Sequence, residues 1–306
     1  MASDRIPAVF ESLDPRFAGI RGDREVRILF DDGRWLEGPA YSPQGRFLLF
    51  SDIPNDRVLR YDELSGRVEV WAHPAGFTNG RTVDPEGRFV QCEHGNRRVV
   101  RFEHDGSQRV IADAYAGHRL NSPNDVVVAS DGAVWFTDPT YGILTDYEGH
   151  RSIEEIGSRN VYRWTPDAKD ARLTAVVDDL SQPNGLVFSP DESLLYVSDS
   201  DRDTVTVYDV VDGAPRNARL FATHDAGYDG MRVDSVGRVW AATGEGIHVY
   251  HPDGSLLGLL RLPETAANLE FGGPQRNLLY ITATTRLYLI RVTVAGASRQ
   301  RVDTSV

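Results

Sequence analysis

The stretch Ser42-Pro-Gln-Gly-Arg-Phe-Leu-Leu-Phe-Ser-Asp52, followed by Val58-Leu-Arg-Tyr61, decides the fold. A Pro/Gly turn opens it, a short apolar run follows, and a polar loop leads to a second run. The unit returns as Asp84-Pro-Glu-Gly-Arg-Phe-Val-Gln-Cys-Glu93 with Val99-Val-Arg-Phe102. A third copy is Ser130-Asp-Gly-Ala-Val-Trp-Phe-Thr-Asp138, which an insertion separates from Val161-Tyr-Arg-Trp164. The fourth reads Ser189-Pro-Asp-Glu-Ser-Leu-Leu-Tyr-Val-Ser-Asp199, then Val205-Thr-Val-Tyr208. The fifth is Asp234-Ser-Val-Gly-Arg-Val-Trp-Ala-Ala-Thr243, then Ile247-His-Val-Tyr250. The sixth is Gly273-Pro-Gln-Arg-Asn-Leu-Leu-Tyr-Ile-Thr-Ala283, then Leu287-Tyr-Leu-Ile290.

The runs are short, rich in β-branched and aromatic residues, and bounded by turn formers, which is the pattern of strands. Helical periodicity is nearly absent; residues 11–20 and 151–156 predict single helical turns at most. Six copies of about 45 residues each match the four-stranded blade of a propeller, whereas a sandwich would not repeat its turns. The expected fold is therefore all-β, a six-bladed β-propeller with four antiparallel strands per blade. The last repeat shows only three strands, while Val26-Arg-Ile-Leu-Phe30 precedes the first repeat without a unit of its own. It is expected to complete the last blade and close the ring, removing an exposed edge. The division predicted is an N-terminal extension over 1–23, one catalytic propeller over 24–293 and a C-terminal tail over 294–306.

Composition narrows the partners. Asp and Glu total 45 against 33 Lys and Arg, for a net charge of −12. Phosphate-rich partners need clustered positive charge, so neither nucleic acid nor an anionic membrane surface is expected. The single cysteine, Cys92, excludes an intramolecular disulfide framework and reads as a small buried apolar residue. Met1-Ala-Ser-Asp-Arg5 leads into no apolar signal segment, and no run approaches the length of a membrane helix. A cytoplasmic protein, monomeric or a small homo-oligomer, is the expectation.

The repeats carry a functional signal when aligned in register. Five positions before the first residue of each turn (Ser42, Asp84, Ala129, Ser189, Asp234, Gly273) stand Glu37, Asn79, Asn124, Asn184, Asp229 and Asn268. All six offer a side-chain carboxylate or amide oxygen. Such residues make up roughly a fifth of the chain, so chance alone gives six of six on the order of once in ten thousand, and about once in a thousand when the choice of offset is allowed for. One phase in every blade means one height around the axis, just before the innermost strands and at one mouth of the channel. Oxygen donors without His or Cys suit a hard cation, Ca²⁺ first and Mg²⁺ or Mn²⁺ next. The alternative is that these side chains shape the turns by bonding their own backbone.

Longer stretches carry a resemblance: Glu37-Gly-Pro39, Cys92-Glu-His-Gly-Asn-Arg-Arg98, Asn121-Ser-Pro-Asn-Asp125 with Trp135-Phe-Thr-Asp-Pro139, Gln182-Pro-Asn-Gly-Leu186 with Ser189-Pro-Asp191, and Asp229-Gly230. In this order the chain resembles the SMP-30/gluconolactonase family of calcium-dependent lactonases, especially its bacterial gluconolactonase branch. The resemblance implies hydrolysis of a sugar-type lactone, gluconolactone or a related aldonolactone, to the aldonic acid. It implies one divalent cation, Ca²⁺ foremost with Mg²⁺, Mn²⁺ or Zn²⁺ as substitutes, held by Glu37, Asn184, Asp229 and Asn124. Asn79 and Asn268 would then stand behind the ligands. The animal branch has an arginine two residues before the asparagine matched by Asn124. This chain has Ser122 there, so that branch's substrate contacts do not transfer at that point.

Lactone opening needs a polarised carbonyl, an activated water and relief of charge on the oxyanion. Because Ca²⁺ acidifies water weakly, a protein base is required, and Asp229 is the expected one. The loops around the same mouth offer Asn121, Asn124, Glu93, His94, Asp138 and Tyr141 as substrate contacts. The insertion over 141–160 is expected to form a lid, since long loops in compact domains tend to be functional. Two rival readings are a metal-dependent phosphotriesterase and a non-catalytic interaction scaffold. Polar rim groups favour a hydroxylated lactone over an apolar triester, and a scaffold would need no carboxylates at the channel.

Overall fold

The computed structural model describes residues 4–166 and 172–297. In the second and fifth repeats the first residue builds the opening turn. Asp84 accepts the backbone N–H groups of Glu86 and Arg88 on Oδ1 and the Arg88 guanidinium on Oδ2. Asp234 repeats this with Val236 and Arg238. An Asx side chain thus supplies the bonds a bare turn would lack.

The strands leaving these turns form six antiparallel sheets. From the inner strand outward, blade one is Leu36–Ser42, Phe47–Asp52, Arg57–Asp62 and Val68–Ala72. Blade two is Thr78–Val83, Phe89–Glu93, Arg98–Phe102 and Gln108–Ala112. Blade three is Val126–Val128, Val134–Thr137, Val161–Thr165 and Arg172–Val177, and blade four is Pro183–Phe188, Leu194–Asp199, Thr204–Val211 and Ala214–Thr223. Blade five is Met231–Val233, Val239–Thr243, Gly246–Tyr250 and Leu256–Arg261. Blade six has Ala266–Gly272, Leu278–Ala283 and Leu287–Arg291 from its own repeat. Each inner strand packs beside the next, and the sixth beside the first, so the ring closes.

The closing strand is the expected one. Glu25–Phe30 pairs antiparallel with Leu287–Arg291, matching Leu287 to Phe30 and Leu289 to Arg27. The residues before it join the sheets as well. Arg5–Pro7 pairs with residues 25–27 of blade six, and Val9–Ser12 adds an edge strand to blade five. Two blades are therefore five-stranded. The single turn expected over 11–20 is a 3-10 turn at Pro15–Gly19, capped by Asp14. Residues 151–156 hold no helix; the α-helical turn of the insertion lies earlier, at Tyr141–Leu144. Of the tail, Gly296 bridges to Asp234 and Ala297 N–H donates to Val233 O, while residues 298–306 lie outside the described residues. No helix among the described residues is long and apolar enough to cross a membrane.

Burial grades outward. The inner strand Leu36–Ser42 is buried throughout, while the outer strand Val68–Ala72 is largely exposed. Apolar clusters fill the seams between blades two and three, three and four, four and five, five and six, and six and one. None of these spans blades one and two.

Candidate active site

The residues at the shared repeat phase meet. Glu37, Asn79, Asn124, Asn184 and Asp229 line one cavity of about 260 Å³ at a mouth of the channel. Glu37, Asn79, Asn184 and Asn268 lie inside the innermost strands rather than before them, whereas Asn124 and Asp229 precede theirs by two residues. The local reason they converge is a repeated backbone anchor. A hydroxyl on the second strand of one blade donates to the carbonyl oxygen of the next blade's ring residue. Ser51 holds Asn79 O at 2.9 Å, Thr137 holds Asn184 O at 2.7 Å and Ser198 holds Asp229 O at 2.9 Å. The glycine after a ring residue lets the two backbones meet. A Cβ on Gly38, whose φ is +52°, would lie 2.0 Å from Asn79 O, and one on Gly185 would lie 2.4 Å from Asp229 O.

The ring divides into a neutral arc and an acidic arc. His94 Nδ1 lies 3.1 Å from the carbonyl oxygen of Glu148, which can only accept, so the ring proton sits on Nδ1. Nε2 then accepts from Asn79 Nδ2 at 3.3 Å. The same amide donates to Asn124 Oδ1 at 2.6 Å, Asn124 Nδ2 donates to Asn184 Oδ1 at 2.7 Å, and Asn184 Nδ2 donates to Ser200 Oγ at 3.0 Å. One histidine tautomer thus orients three amides in series. Burial lowers His94 to a pKa of about 4, which keeps it neutral.

In the acidic arc, Glu37 Oε2 accepts from Gly38 N at 2.5 Å and from Asn268 Nδ2 at 3.1 Å. Asn268 does not line the cavity; it stands behind Glu37 and steadies it. Burial, reinforced by Asp125, raises Glu37 to a pKa of about 8. Asp229 is raised by burial and then by repulsion from Glu37, Asp125 and Glu148. Glu148 is itself raised to about 7 by burial. Four carboxylates thus crowd one site. The buried Arg232 lies 3.9 Å from Asp125 but closer to Glu270, at 3.0 Å.

The donor set fits a hard cation. Buried acids that repel one another need a positive partner, and Asn79 Oδ1 is buried without a hydrogen-bond partner. Oxygen ligands of mixed carboxylate and amide type are those that Ca²⁺ takes.

The other sequence-predicted residues are placed differently. Tyr141 lines the cavity from the insertion, its hydroxyl beside Ser200 and Asn184. His94 is buried one layer behind, and Glu93 turns toward Gln91, Asn96 and Arg98. Asp138 accepts the Asn121 N–H at 2.8 Å, and Asn121 Nδ2 returns to Asp138 O and Ser158 O. Asp199 does the same for Ser181 and Gln182, so this carboxylate at the end of the second strand is a repeated staple. Ser122, at the point of departure from the animal branch, donates to Pro139 O and accepts from Gly142 N, seating the insertion.

Sequence reading did not name Glu148, Trp35, Ser200 or Tyr228, all of which line the cavity. Glu148 lay in the insertion, where no repeat register exists to flag it. Ser200 was the one within reach, since it directly follows the Ser198-Asp199 pair of the fourth repeat.

Comparison with known proteins agrees with this architecture. Residues 35–285 match the family described as SMP-30/Gluconolactonase/LRE-like region. The chain belongs to that family. A gluconolactonase from Zymomonas mobilis is 33% identical over 299 residues, covering 89% of this chain and 82% of that protein. A pentonolactonase from Haloferax volcanii is 28% identical, covering 84% of each. A solved structure of a gluconolactonase from Xanthomonas campestris superposes with a TM-score of 0.88 at 39% identity, covering 95% of this chain and 96% of that one. The propeller fold is thus shared over nearly the whole chain.

Proposed function

We propose that the chain hydrolyses a sugar-type lactone, gluconolactone or a related aldonolactone, at this cavity with the help of one divalent cation, Ca²⁺ foremost. The carrying observation is the convergence of Glu37, Asn124, Asn184 and Asp229 from four blades on one cavity whose acids outnumber the nearby cations. Similarity to relatives named for gluconolactone and pentonolactone hydrolysis supports the substrate class.

Glu37, Asn184, Asp229 and Asn124 would hold the cation. When bound, it would polarise the lactone carbonyl and offset the oxyanion's charge. The chain's own groups do the rest. Asp229 accepts a proton from the attacking water as oxygen adds to the carbonyl carbon. The ring C–O bond then breaks, and the leaving oxygen takes up a proton to give the hydroxyl of the aldonic acid. Glu37, fixed by Gly38 and Asn268, keeps its carboxylate on the site. The amide arc orients without titrating, so proton traffic is confined to the acids. Tyr141 and Glu148 close the cavity from the insertion, which acts as a lid.

The test is a proton-release assay on five- and six-membered lactones with and without chelator. Asp229→Asn should lower kcat by about 10²–10⁴-fold while calorimetry still registers Ca²⁺. Chelator-insensitive turnover, or full activity in that variant, rejects the assignment.

A further inference from the structure

On the blade-five side of the same mouth sits a second group of ligand-type side chains that lactone chemistry leaves unused. His224 follows the outer strand of blade four, and Glu245 occupies the turn between Val239–Thr243 and Gly246–Tyr250. His248 is fully buried on the latter strand. His248 Nε2 lies 2.9 Å from Glu245 Oε1, and His224 Nε2 lies 3.8 Å from the same oxygen. The two imidazoles meet edge to face with centroids 4.5 Å apart, and one ligand atom from each of the three residues lies within 4.8 Å of the others.

We propose that His224, Glu245 and His248 form a second metal site, selective for zinc-like transition-metal cations. Tetrahedral ligation at zinc–nitrogen and zinc–oxygen lengths puts ligand atoms about 3.3 Å apart, between the 2.9 and 3.8 Å that separate the histidine nitrogens from Glu245 Oε1. Two imidazoles and one carboxylate are borderline donors, which suit Zn²⁺ and its neighbours and not the hard cation of the oxygen ring. None of the three residues lines the cavity, so the two sites share no ligand.

Outer contacts hold the ligands in place. Arg261 Nη1 takes Glu245 Oε2 at 2.7 Å, leaving Oε1 to face the imidazoles. His248 Nδ1 meets the Tyr250 hydroxyl at 3.3 Å, which in turn meets Tyr228 at 2.7 Å. That hydroxyl pair can accept from Nδ1 when Nε2 is committed to a metal, the usual arrangement for a ligating histidine. A simple ion pair explains the cluster less well, because burial lowers His248 and disfavours its charged form. His224 Nδ1 accepts the Ala226 N–H at 3.1 Å, a contact that metal on Nε2 would displace. Its half-buried ring must turn slightly, so it is the weakest of the three ligands. Ala226 and Tyr228 both line the cavity. Occupancy therefore reaches the wall of the catalytic site through two of its residues.

Co²⁺ is the probe, because tetrahedral nitrogen/oxygen ligation gives it intense visible absorption. With Ca²⁺ in excess to saturate oxygen donors, the wild-type protein should bind one equivalent of Co²⁺ with that spectrum, and Zn²⁺ should displace it. His248→Gln should weaken Co²⁺ at least about tenfold. His224→Gln, at a half-buried position that folding tolerates, should do the same. Glu37→Gln should leave the spectrum and affinity unchanged. No tetrahedral spectrum in the wild type, an affinity that His224→Gln does not alter, or a signal abolished by Glu37→Gln would each overturn the site. These outcomes are independent of whether lactones are hydrolysed.

Discussion

Blade one is gripped in two different ways by its neighbours. Toward blade six, Leu48 and Phe50 enter an apolar cluster with Tyr280, Leu287 and Leu289, and Tyr41 stacks on Tyr280 with centroids 5.9 Å apart. Toward blade two, the same second strand presents Ser51, which bonds Asn79 O. There the fully buried Arg81 donates to Gly38 O at 2.9 Å and reaches Ser51 Oγ and Gln91 Oε1 at 3.3 Å. Successive residues of one strand face opposite seams, so Phe50 and Ser51 serve different ends. The apolar seam holds the ring shut. Farther out on this second seam Phe47 meets Phe89 and Trp71 meets Phe102, but its polar inner part fixes the backbones that carry Glu37 and Asn79.

The comparison breaks most visibly at Phe50. Phe50→Ala empties the closure seam and should cost about 3–5 kcal/mol by denaturant unfolding. KM and kcat of the folded protein should stay near wild type, because the residue touches nothing in the cavity. A large loss of activity at unchanged stability would show that the two seams are not separable in this way.

A smaller effect comes from the neutral arc behind the polar seam. His94 has a folded pKa of about 4 against its ordinary 6.5. The native state resists protonation, so its contribution is complete above pH 6.5 and is lost as the pH falls through 4. Over that span the wild type should lose about 3 kcal/mol from this group. His94→Gln, which cannot titrate, should flatten that part of the stability profile. Identical profiles for the two proteins would mean the histidine is not held neutral by burial.

Much of this was legible in the sequence because a propeller repeats its physics. The turn signature, the strand alternation and the phase of Glu37, Asn79, Asn124, Asn184 and Asp229 are each set by contacts within one blade or between adjacent blades. The orphan strand Glu25–Phe30 was legible for the same reason, as the piece missing from the sixth copy. What escaped lies outside the register. Val9–Ser12 pairs with residues some 250 positions away, which no local pattern announces. Glu148 enters the cavity from an insertion without a counterpart in other blades. Asp138 looked like a ligand for substrate, yet its carboxylate is buried against Asn121 N, a role shared with Asp199 that only the repeated staple reveals. The division into neutral and acidic arcs also needed structure, because it rests on which nitrogen of His94 carries the proton.

Arg81 gives the finest test of the two seams. Its guanidinium is buried among neutral acceptors, and burial pushes its pKa down to about 9. Replacing a buried charge by an apolar side chain of similar volume is often close to neutral for stability. Arg81→Met should therefore change unfolding by no more than about 2 kcal/mol, the residual cost of leaving Gly38 O and Gln91 Oε1 without their donor. Function should suffer more than that figure suggests. Gly38 O is the carbonyl adjacent to Glu37, and releasing it loosens the carboxylate that faces the cavity. Calorimetric titration of Ca²⁺ should show affinity reduced about tenfold, in contrast to Phe50→Ala, which should bind as the wild type does when folded. If Arg81→Met instead unfolds like Phe50→Ala and keeps full cation affinity, the polar seam is a stabilising contact like the other five, and the positioning of Glu37 must come from Asn268 alone.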